Sequence, residues 1–124
     1  MRLFELNRSD PRPVYRQIAD EIQRCVAVEI LRTDEALPAA RALASELGVN
    51  VNTVQHAYRE LEREGTVYMK RGLGTFIASP PKEARYRQAA TARRLAEQML
   101  REGFRHGLLA SDLIKALQEI APKK

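Results

Sequence analysis

The most constraining feature of this sequence is residues 37–77, where two short helical patterns are separated by a glycine and followed by an alternating pattern. In the first helical pattern Leu43, Ala44 and Leu47 recur at the spacing of one helix face. Gly48 comes next, and glycine is the residue type that most often ends a helix in a left-handed conformation. The sequence therefore predicts a short helix that stops in a tight turn.

A second helix is predicted directly after that turn. Asn50 is a favourable N-cap residue, and Gly65 ends the pattern. The apolar residues that would face the core are Val54, Ala57, Tyr58 and Leu61. The polar residues of the opposite face are Asn52, Gln55, His56, Arg59 and Arg63. Because amide side chains match the paired donor and acceptor of adenine in the major groove, this polar face suits the reading of base edges.

The alternating pattern over residues 67–77 predicts a two-stranded hairpin. Gly72 and Gly74 permit a tight tip, and Lys70 and Arg71 beside them would approach the phosphates and the minor groove. A nucleotide-binding phosphate loop is the weaker interpretation, because no Lys-Ser/Thr pair and no helix follow the glycines. The order of helix, turn, helix and hairpin predicts a winged helix-turn-helix, a mainly α fold with a small β-hairpin, whose partner is double-stranded DNA.

Residues 13–78 resemble the DNA-binding domain of the GntR family of bacterial transcription regulators. Within that family the YtrA-like subfamily is most similar, because residues 50–55 read NVNTVQ and the chain ends soon after the wing. The resemblance implies a dimeric regulator, usually a repressor, that binds a palindromic operator and often controls a neighbouring transport operon. It is carried by LPAARALA at 37–44, GVNVNTV at 48–54, ELEREG at 60–65 and RGLGTF at 71–76.

The resemblance and the polar face together assign residues to DNA contact. Arg41 matches the arginine by which the family's second helix approaches DNA, and Asn50 divides between helix capping and DNA contact. We expect base-edge contacts from Asn52, Thr53, Gln55 and His56. The full predicted set is Arg41, Asn50, Asn52, Thr53, Gln55, His56, Arg59, Lys70, Arg71 and Gly72.

The chain departs from the family pattern at Ala39, Val51 and His56. Ala39 replaces a serine that would cap the second helix, and losing such a cap typically costs about 1 kcal/mol. Val51 stands where relatives have proline or a basic residue, and His56 is not typical of its position.

An N-terminal helix is predicted from Pro13 to about Leu31, with its apolar face packed behind the two turn helices. Cys25 lies on that face, so a packing role is favoured over a disulfide between subunits. An apolar run at residues 3–6 would add a strand or pack on a partner chain. The arginines in and before this helix either reach flanking phosphates or are solvated surface; they are Arg8, Arg12, Arg16 and Arg24.

Residues 79–82, which include two prolines, predict a linker between a DNA-binding domain at 1–78 and a tail at 83–124. The tail shows two amphipathic helices, at about 83–105 and 110–120. So short a segment buries too little surface alone, so we expect a symmetric dimer through the tails, with packing on the winged domain as the alternative. The predicted dimerisation residues are Leu95, Met99, Leu100, Phe104, Leu113, Ile114 and Leu117.

Other function classes fit the composition poorly. The net charge of +5 favours a polyanionic partner, although charged residues of both signs make up 30% of the chain. With neither a long apolar stretch nor a signal core, the sequence predicts a cytoplasmic protein. The two histidines, His56 and His106, lack nucleophile or metal-ligand partners, so we expect no catalysis, cofactor or metal. The sequence identifies no effector, and the tail leaves too little room for an ordinary ligand pocket.

A winged helix that binds protein instead of DNA is the competing function. The same fold serves both purposes, so the fold alone does not decide between them. A protein-binding helix face would more often carry aromatic anchors, whereas this one carries amides and cations.

Overall fold

The structure is a computed structural model that describes residues 3–79 and 82–121. The chain divides into two units, residues 1–79 and 80–124. The first unit contains helices α1 (Val14–Ala27), α2 (Ala40–Leu47) and α3 (Val51–Arg63) and strands β1 (Val67–Lys70) and β2 (Gly74–Ile77). The second contains α4 (Lys82–Arg105) and α5 (Ala110–Ile120). The predicted fold class, a mainly α chain with one hairpin and two tail helices, is confirmed. Pro80 and Pro81 of the predicted linker lie outside the described residues.

The turn between α2 and α3 forms as the local signals predict. Gly48 has a φ of 69°, in the left-handed region, and the N–H of Val49 donates to the carbonyl of Ala44 at 3.0 Å. The Asn50 side-chain oxygen accepts from the N–H of Asn52 at 2.8 Å, which caps α3. At the other end Gly65 follows α3 with a φ of 82°. Residue-specific caps therefore set both ends of α3.

Helix α1 is shorter than predicted. It ends at Ala27 because Glu29 adopts a left-handed φ of 63°, and the N–H groups of Ile30 and Leu31 then both donate to the Cys25 carbonyl. This closed turn sends Leu31 back into the core and leaves Ile30 at the surface, so the prediction of one apolar face as far as Leu31 is wrong. Pro13 is the N-cap residue instead of the first helical residue.

The core of the first unit lies between the three helices and the hairpin. Cys25 is fully buried, and burial raises the pKa of its thiol, as expected for a packing residue. Phe4 is buried in the same core, so the N-terminal apolar run packs on its own chain and forms no strand in the described residues. The largest fully buried side chains are those of Ile18, Ile22, Leu43, Leu61, Ile77, Val54 and Cys25.

The hairpin is attached to the segment that precedes α2, a connection the sequence pattern does not reveal. β1 and β2 pair antiparallel with Val67 opposite Ile77, and both residues are buried. On its other edge β2 bonds to residues 34–37: the N–H of Leu37 donates to Thr75, and the N–H of Ile77 donates to Glu35. These bonds fix the wing relative to the start of α2.

In the second unit α4 and α5 pack against each other around Gly103. A Cβ at Gly103 would lie 2.8 Å from Cδ1 of Leu113, which only glycine accommodates without movement. The Asp112 carboxylate accepts from the N–H of Leu109 at 2.8 Å and so starts α5. Both helices lie close to their predicted bounds.

We expect Gly103→Val to destabilise the tail by about 1–3 kcal/mol, because the added methyl groups must displace Leu113. Thermal unfolding followed by circular dichroism measures this. Arg94→Val, at an exposed position of α4, is the control for the intrinsic cost of a β-branched residue in this helix. Equal unfolding of the two variants would contradict the close packing of α4 on α5.

Candidate nucleic-acid interface

One face of α3 is free of the core and carries all four side chains predicted to contact base edges. We call this surface the reading face: Asn52, Thr53, Gln55, His56 and Arg59. Asn52, Gln55 and Arg59 are exposed, whereas Thr53 and His56 are half-buried. The buried residues of α3 are those predicted, namely Val54, Ala57, Tyr58 and Leu61. The helix therefore presents hydrogen-bonding groups outward on a rigidly packed support.

Tyr58 ties α3 to the start of α2. Its hydroxyl donates to the Pro38 carbonyl at 2.7 Å, while its ring is 6% exposed. Burial raises the pKa of Tyr58 well above its ordinary value, because the phenolate would be desolvated. This bond lies beside the N-terminus of α2, where Ala39 makes no side-chain cap, as predicted from the missing serine. The bond therefore helps to fix the spacing of the two helices.

We expect Tyr58→Phe to lower the free energy of unfolding by about 0.5–1.5 kcal/mol near neutral pH, because the Pro38 carbonyl loses its donor. The raised pKa adds a second effect. The stabilisation from the neutral hydroxyl is complete below about pH 10 and is lost as pH rises through the folded-state pKa. Urea unfolding at pH 7 measures the loss of the hydrogen bond, and urea unfolding above pH 10 measures the effect of the raised pKa. Between the two pH values, the free energy of unfolding should fall less for Tyr58→Phe than for the unaltered protein. Identical alkaline behaviour of the two proteins would contradict this role for Tyr58.

His56 is stacked on Tyr15 of α1, a contact that sequence reasoning missed. The ring centroids are 3.7 Å apart and the planes differ by 14°. An open hollow of about 420 Å³ lies at this position, lined by Val14, Tyr15, Asn52, Thr53, His56 and Arg59. The N-terminal end of α1 is therefore part of the same surface as the reading face.

The cations predicted to bind DNA share one property, the lack of an anionic partner in the part of the chain that the structure describes. Arg41, Arg59, Lys70 and Arg71 are exposed, and none of them makes an ion pair within residues 3–79 and 82–121. Gly72 stands beside Arg71 at the wing tip with a φ of 79°. These charges are available to an external anion without breaking an existing pair.

The arginines around α1 are engaged within the protein. Arg12 pairs with Asp10 at 2.8 Å and also with Asp20, and it lowers the pKa of the Asp10 carboxyl. Arg8 donates to the Leu47 carbonyl at 2.8 Å, at the end of α2. Arg16 pairs with Asp20 and Glu64, and Arg24 pairs with Glu21. Of the two interpretations left open for these residues, the structure favours surface interactions over phosphate contact.

A groove of about 610 Å³ runs between α3 and the wing. Gln55 and Arg59 line it from the helix, and the exposed side chains of Met69 and Leu73 line it from the hairpin. This groove belongs to the first unit. The sequence predicted too little room for a ligand pocket only in the tail. Its position between reading helix and wing gives the surface a concave shape.

Neither a metal site nor a membrane span is found in the part of the chain that the structure describes. Within residues 3–79 and 82–121 no group of three or more His, Cys, Asp and Glu side chains is arranged to hold a metal ion. None of the described helices is both long and apolar enough to cross a lipid bilayer.

Comparison with known proteins places this geometry in a family. The family model described as bacterial regulatory proteins, gntR family, matches residues 14–77. The uncharacterized HTH-type transcriptional regulator YhcF of Bacillus subtilis (strain 168) is 35% identical over 108 residues, which are 86% of this chain and 88% of that protein. The HTH-type transcriptional repressor YtrA of the same organism is 41% identical over 76 residues, 59% of this chain and 58% of that protein.

Solved structures show the same arrangement. YtrA from Sulfolobus acidocaldarius, a GntR-family transcription factor, has a TM-score of 0.61 and 33% identity, covering 77% of this chain and 99% of that one. The DNA-binding domain of AraR in complex with operator ORE1 has a TM-score of 0.53 and 29% identity, covering 59% of this chain and 89% of that one. The chain therefore belongs to the GntR family of bacterial regulatory proteins, and its first unit is a winged helix-turn-helix.

Proposed function

We propose that this chain is a sequence-specific transcriptional repressor that binds a palindromic operator as a homodimer. Each protomer places α3 in a major groove, and the two half-sites are centred about 10 bp apart or at a multiple of that spacing. Several of its relatives are named repressors, and a solved structure with the same fold is bound to an operator. The resemblance to YtrA-like regulators also suggests a transport operon as the target.

The observation that carries the proposal is the combination of an exposed polar helix face with unpaired cations around it. Arg41, Arg59, Lys70 and Arg71 have no ion pair in the described residues, while the arginines around α1 are engaged. Cations already paired would have to break those pairs before they neutralised phosphate. These four charges therefore belong to the same unit as α3, the helix that carries the amides, and bind no carboxylate of the described residues that DNA would have to displace.

The residues divide between two roles. Asn52 and Gln55 supply amides for base edges, with Thr53 and His56 beside them, because a donor and an acceptor on one side chain can discriminate between base pairs. Arg41, Lys70 and Arg71 bind phosphate or the groove wall and so set position and affinity. Asn50 uses its side-chain oxygen to cap α3, which leaves its amide NH₂ for DNA.

The tail supplies the dimer. Its two helices leave an apolar surface uncovered, although Leu113 is half-buried against Gly103. Exposed apolar surface of this extent on a short helical pair is best covered by a second copy, and a twofold axis between copies accounts for a palindromic site. The exposed apolar residues of the tail include Leu95, Leu100, Phe104, Leu109, Ile114, Leu117 and Ile120.

A protein-binding winged helix remains the alternative function, and a gel-shift assay separates the two. The probe is the promoter of the protein's own gene, tested at two salt concentrations with unlabelled promoter or random DNA as competitor. We expect unlabelled promoter to compete and random DNA not to compete. The affinity should fall steeply with salt, because protein cations that bind phosphates release counterions from the DNA. Equal competition by random DNA would contradict a sequence-specific regulator.

A further inference from the structure

The stacked pair of Tyr15 and His56 joins α1 to the reading face, although Tyr15 is not among the residues proposed to contact DNA. The two rings are nearly parallel at a centroid distance of 3.7 Å. Both side chains are half-buried, and Tyr15 packs at the edge of the core. One face of the imidazole is therefore covered by the phenol ring, which restricts the side-chain rotamers available to His56.

The edge of the imidazole remains available. His56 makes no hydrogen bond within residues 3–79 and 82–121. In the same residues, every buried side-chain nitrogen or oxygen atom has a hydrogen-bond partner, so the unbonded nitrogens of His56 are not buried. Its ring nitrogens are therefore accessible to solvent, and the side chain lines the same hollow as Asn52 and Arg59. A neutral imidazole there offers one N–H donor and one acceptor at a defined position.

The nearby acidic group, Glu60, interacts electrostatically with His56 but makes no hydrogen bond to it. Glu60, one turn after His56, accepts from Arg63 through both carboxylate oxygens at 2.9 Å each. Arg63 thereby lowers the pKa of the Glu60 carboxyl. His56 is therefore stacked on Tyr15, and its ring N–H is not hydrogen-bonded to the neighbouring carboxylate.

We propose that Tyr15 is a positioning residue, which stacks on His56 so that the imidazole edge reads one base pair in each half-site. A base acceptor such as N7 or O6 of guanine is the chemical partner that an imidazole N–H fits in the major groove. Holding the ring before DNA arrives removes part of the ordering that binding would otherwise require. This inference rests on the proposed function, because it assumes that α3 lies in the major groove.

The test uses the full chain and a duplex that the unaltered protein selects from a random pool. Affinities are measured for this duplex and for versions with each base pair changed. We expect His56→Ala to lose preference at one base pair per half-site and about tenfold in affinity, the usual scale for one base contact. Tyr15→Leu should lose preference at that same base pair, and Tyr15→Phe, which keeps the ring, should bind as the unaltered protein does.

The double variant separates positioning from a general structural role. If Tyr15 acts through His56, the double variant Tyr15→Leu with His56→Ala binds about as weakly as His56→Ala alone, instead of showing the product of two losses. The inference would be overturned if the two single losses multiplied in the double variant. It would also be overturned if Tyr15→Leu weakened binding evenly at all base pairs, or if His56→Ala kept full discrimination between base pairs. An unaltered protein that selects no sequence would instead overturn the proposed function.

A second measurement applies even if Tyr15→Leu does not fold. The chain has two histidines, so the ring protons of His56 can be assigned in an NMR spectrum with a His56→Gln variant. Stacking on a phenol ring should shift these protons upfield relative to those of His106, in both the unaltered protein and Tyr15→Phe. Unshifted His56 protons would overturn the proposed positioning.

Discussion

Phe104→Glu is expected to abolish the proposed tail dimer and to weaken operator binding by about 100- to 10,000-fold. The Phe104 ring is 77% exposed on a tail that presents further uncovered apolar side chains. If a second tail covers this surface, an ionised carboxylate there would have to be desolvated without a partner. Each monomer would then bind one half-site, without the gain from the linked second half-site.

The matched control is Gln98→Glu. It adds the same carboxylate to the same helix at another exposed position, on the polar side of α4. Sedimentation in solution and operator titration should find this control dimeric and of unchanged affinity within about twofold. A Phe104→Glu protein that stayed dimeric and bound the operator fully would remove the tail from the proposed interface.

Gln55→Ala should weaken operator binding by about 1–3 kcal/mol and relax the preference at one base pair in each half-site. Gln55 is exposed on the reading face, and its side chain makes no hydrogen bond within the described residues. Truncation therefore removes DNA contacts without disturbing contacts inside the protein. The change should show as equal affinity for duplexes that differ only at that base pair.

Arg41→Ala and Lys70→Ala are the controls for Gln55→Ala, because both residues are exposed and bear an unpaired charge. Their loss should weaken binding to all duplexes alike and reduce the slope of affinity against salt. Titration of a set of duplexes at several salt concentrations distinguishes the two patterns. If Gln55→Ala behaved like Arg41→Ala, the division between base reading and phosphate binding would be wrong.

Features governed by neighbouring residues could be predicted from the sequence. Gly48, Asn50 and Gly65 occupy the turn and cap positions assigned to them, because a left-handed residue and a side-chain cap are decided within a few residues. The end of α1 could not be predicted in this way. Ile30 and Leu31 continue the apolar spacing, yet Glu29 turns left-handed and ends the helix before them.

Contacts between segments far apart in the chain could not be predicted from the apolar periodicity of the sequence. The segment at residues 34–37 bonds to β2 without any strand-like alternation, and Phe4 packs into the core of its own chain. The Tyr15–His56 stack depends on how α1 crosses α3, which is set by packing. Sequence periodicity describes the face of each helix but not which residue of another helix meets it.

The sequence also does not show which charged side chains pair with one another. All the arginines of the first unit look alike in the sequence, but Arg12, Arg16 and Arg24 find carboxylates while Arg41 and Arg71 do not. Partners such as Glu64 for Arg16 lie on another helix. The sequence therefore identified the candidate phosphate-binding residues but could not exclude the arginines that are already paired.

The central claim is that a dimer reads DNA through the exposed amides of α3, and selection of bound duplexes from a random pool by this chain tests it most directly. We expect enrichment of an inverted repeat whose half-sites are centred about 10 bp apart or at a multiple of that distance. Recovery of unenriched sequences, or of a single half-site without a repeat, would contradict this account.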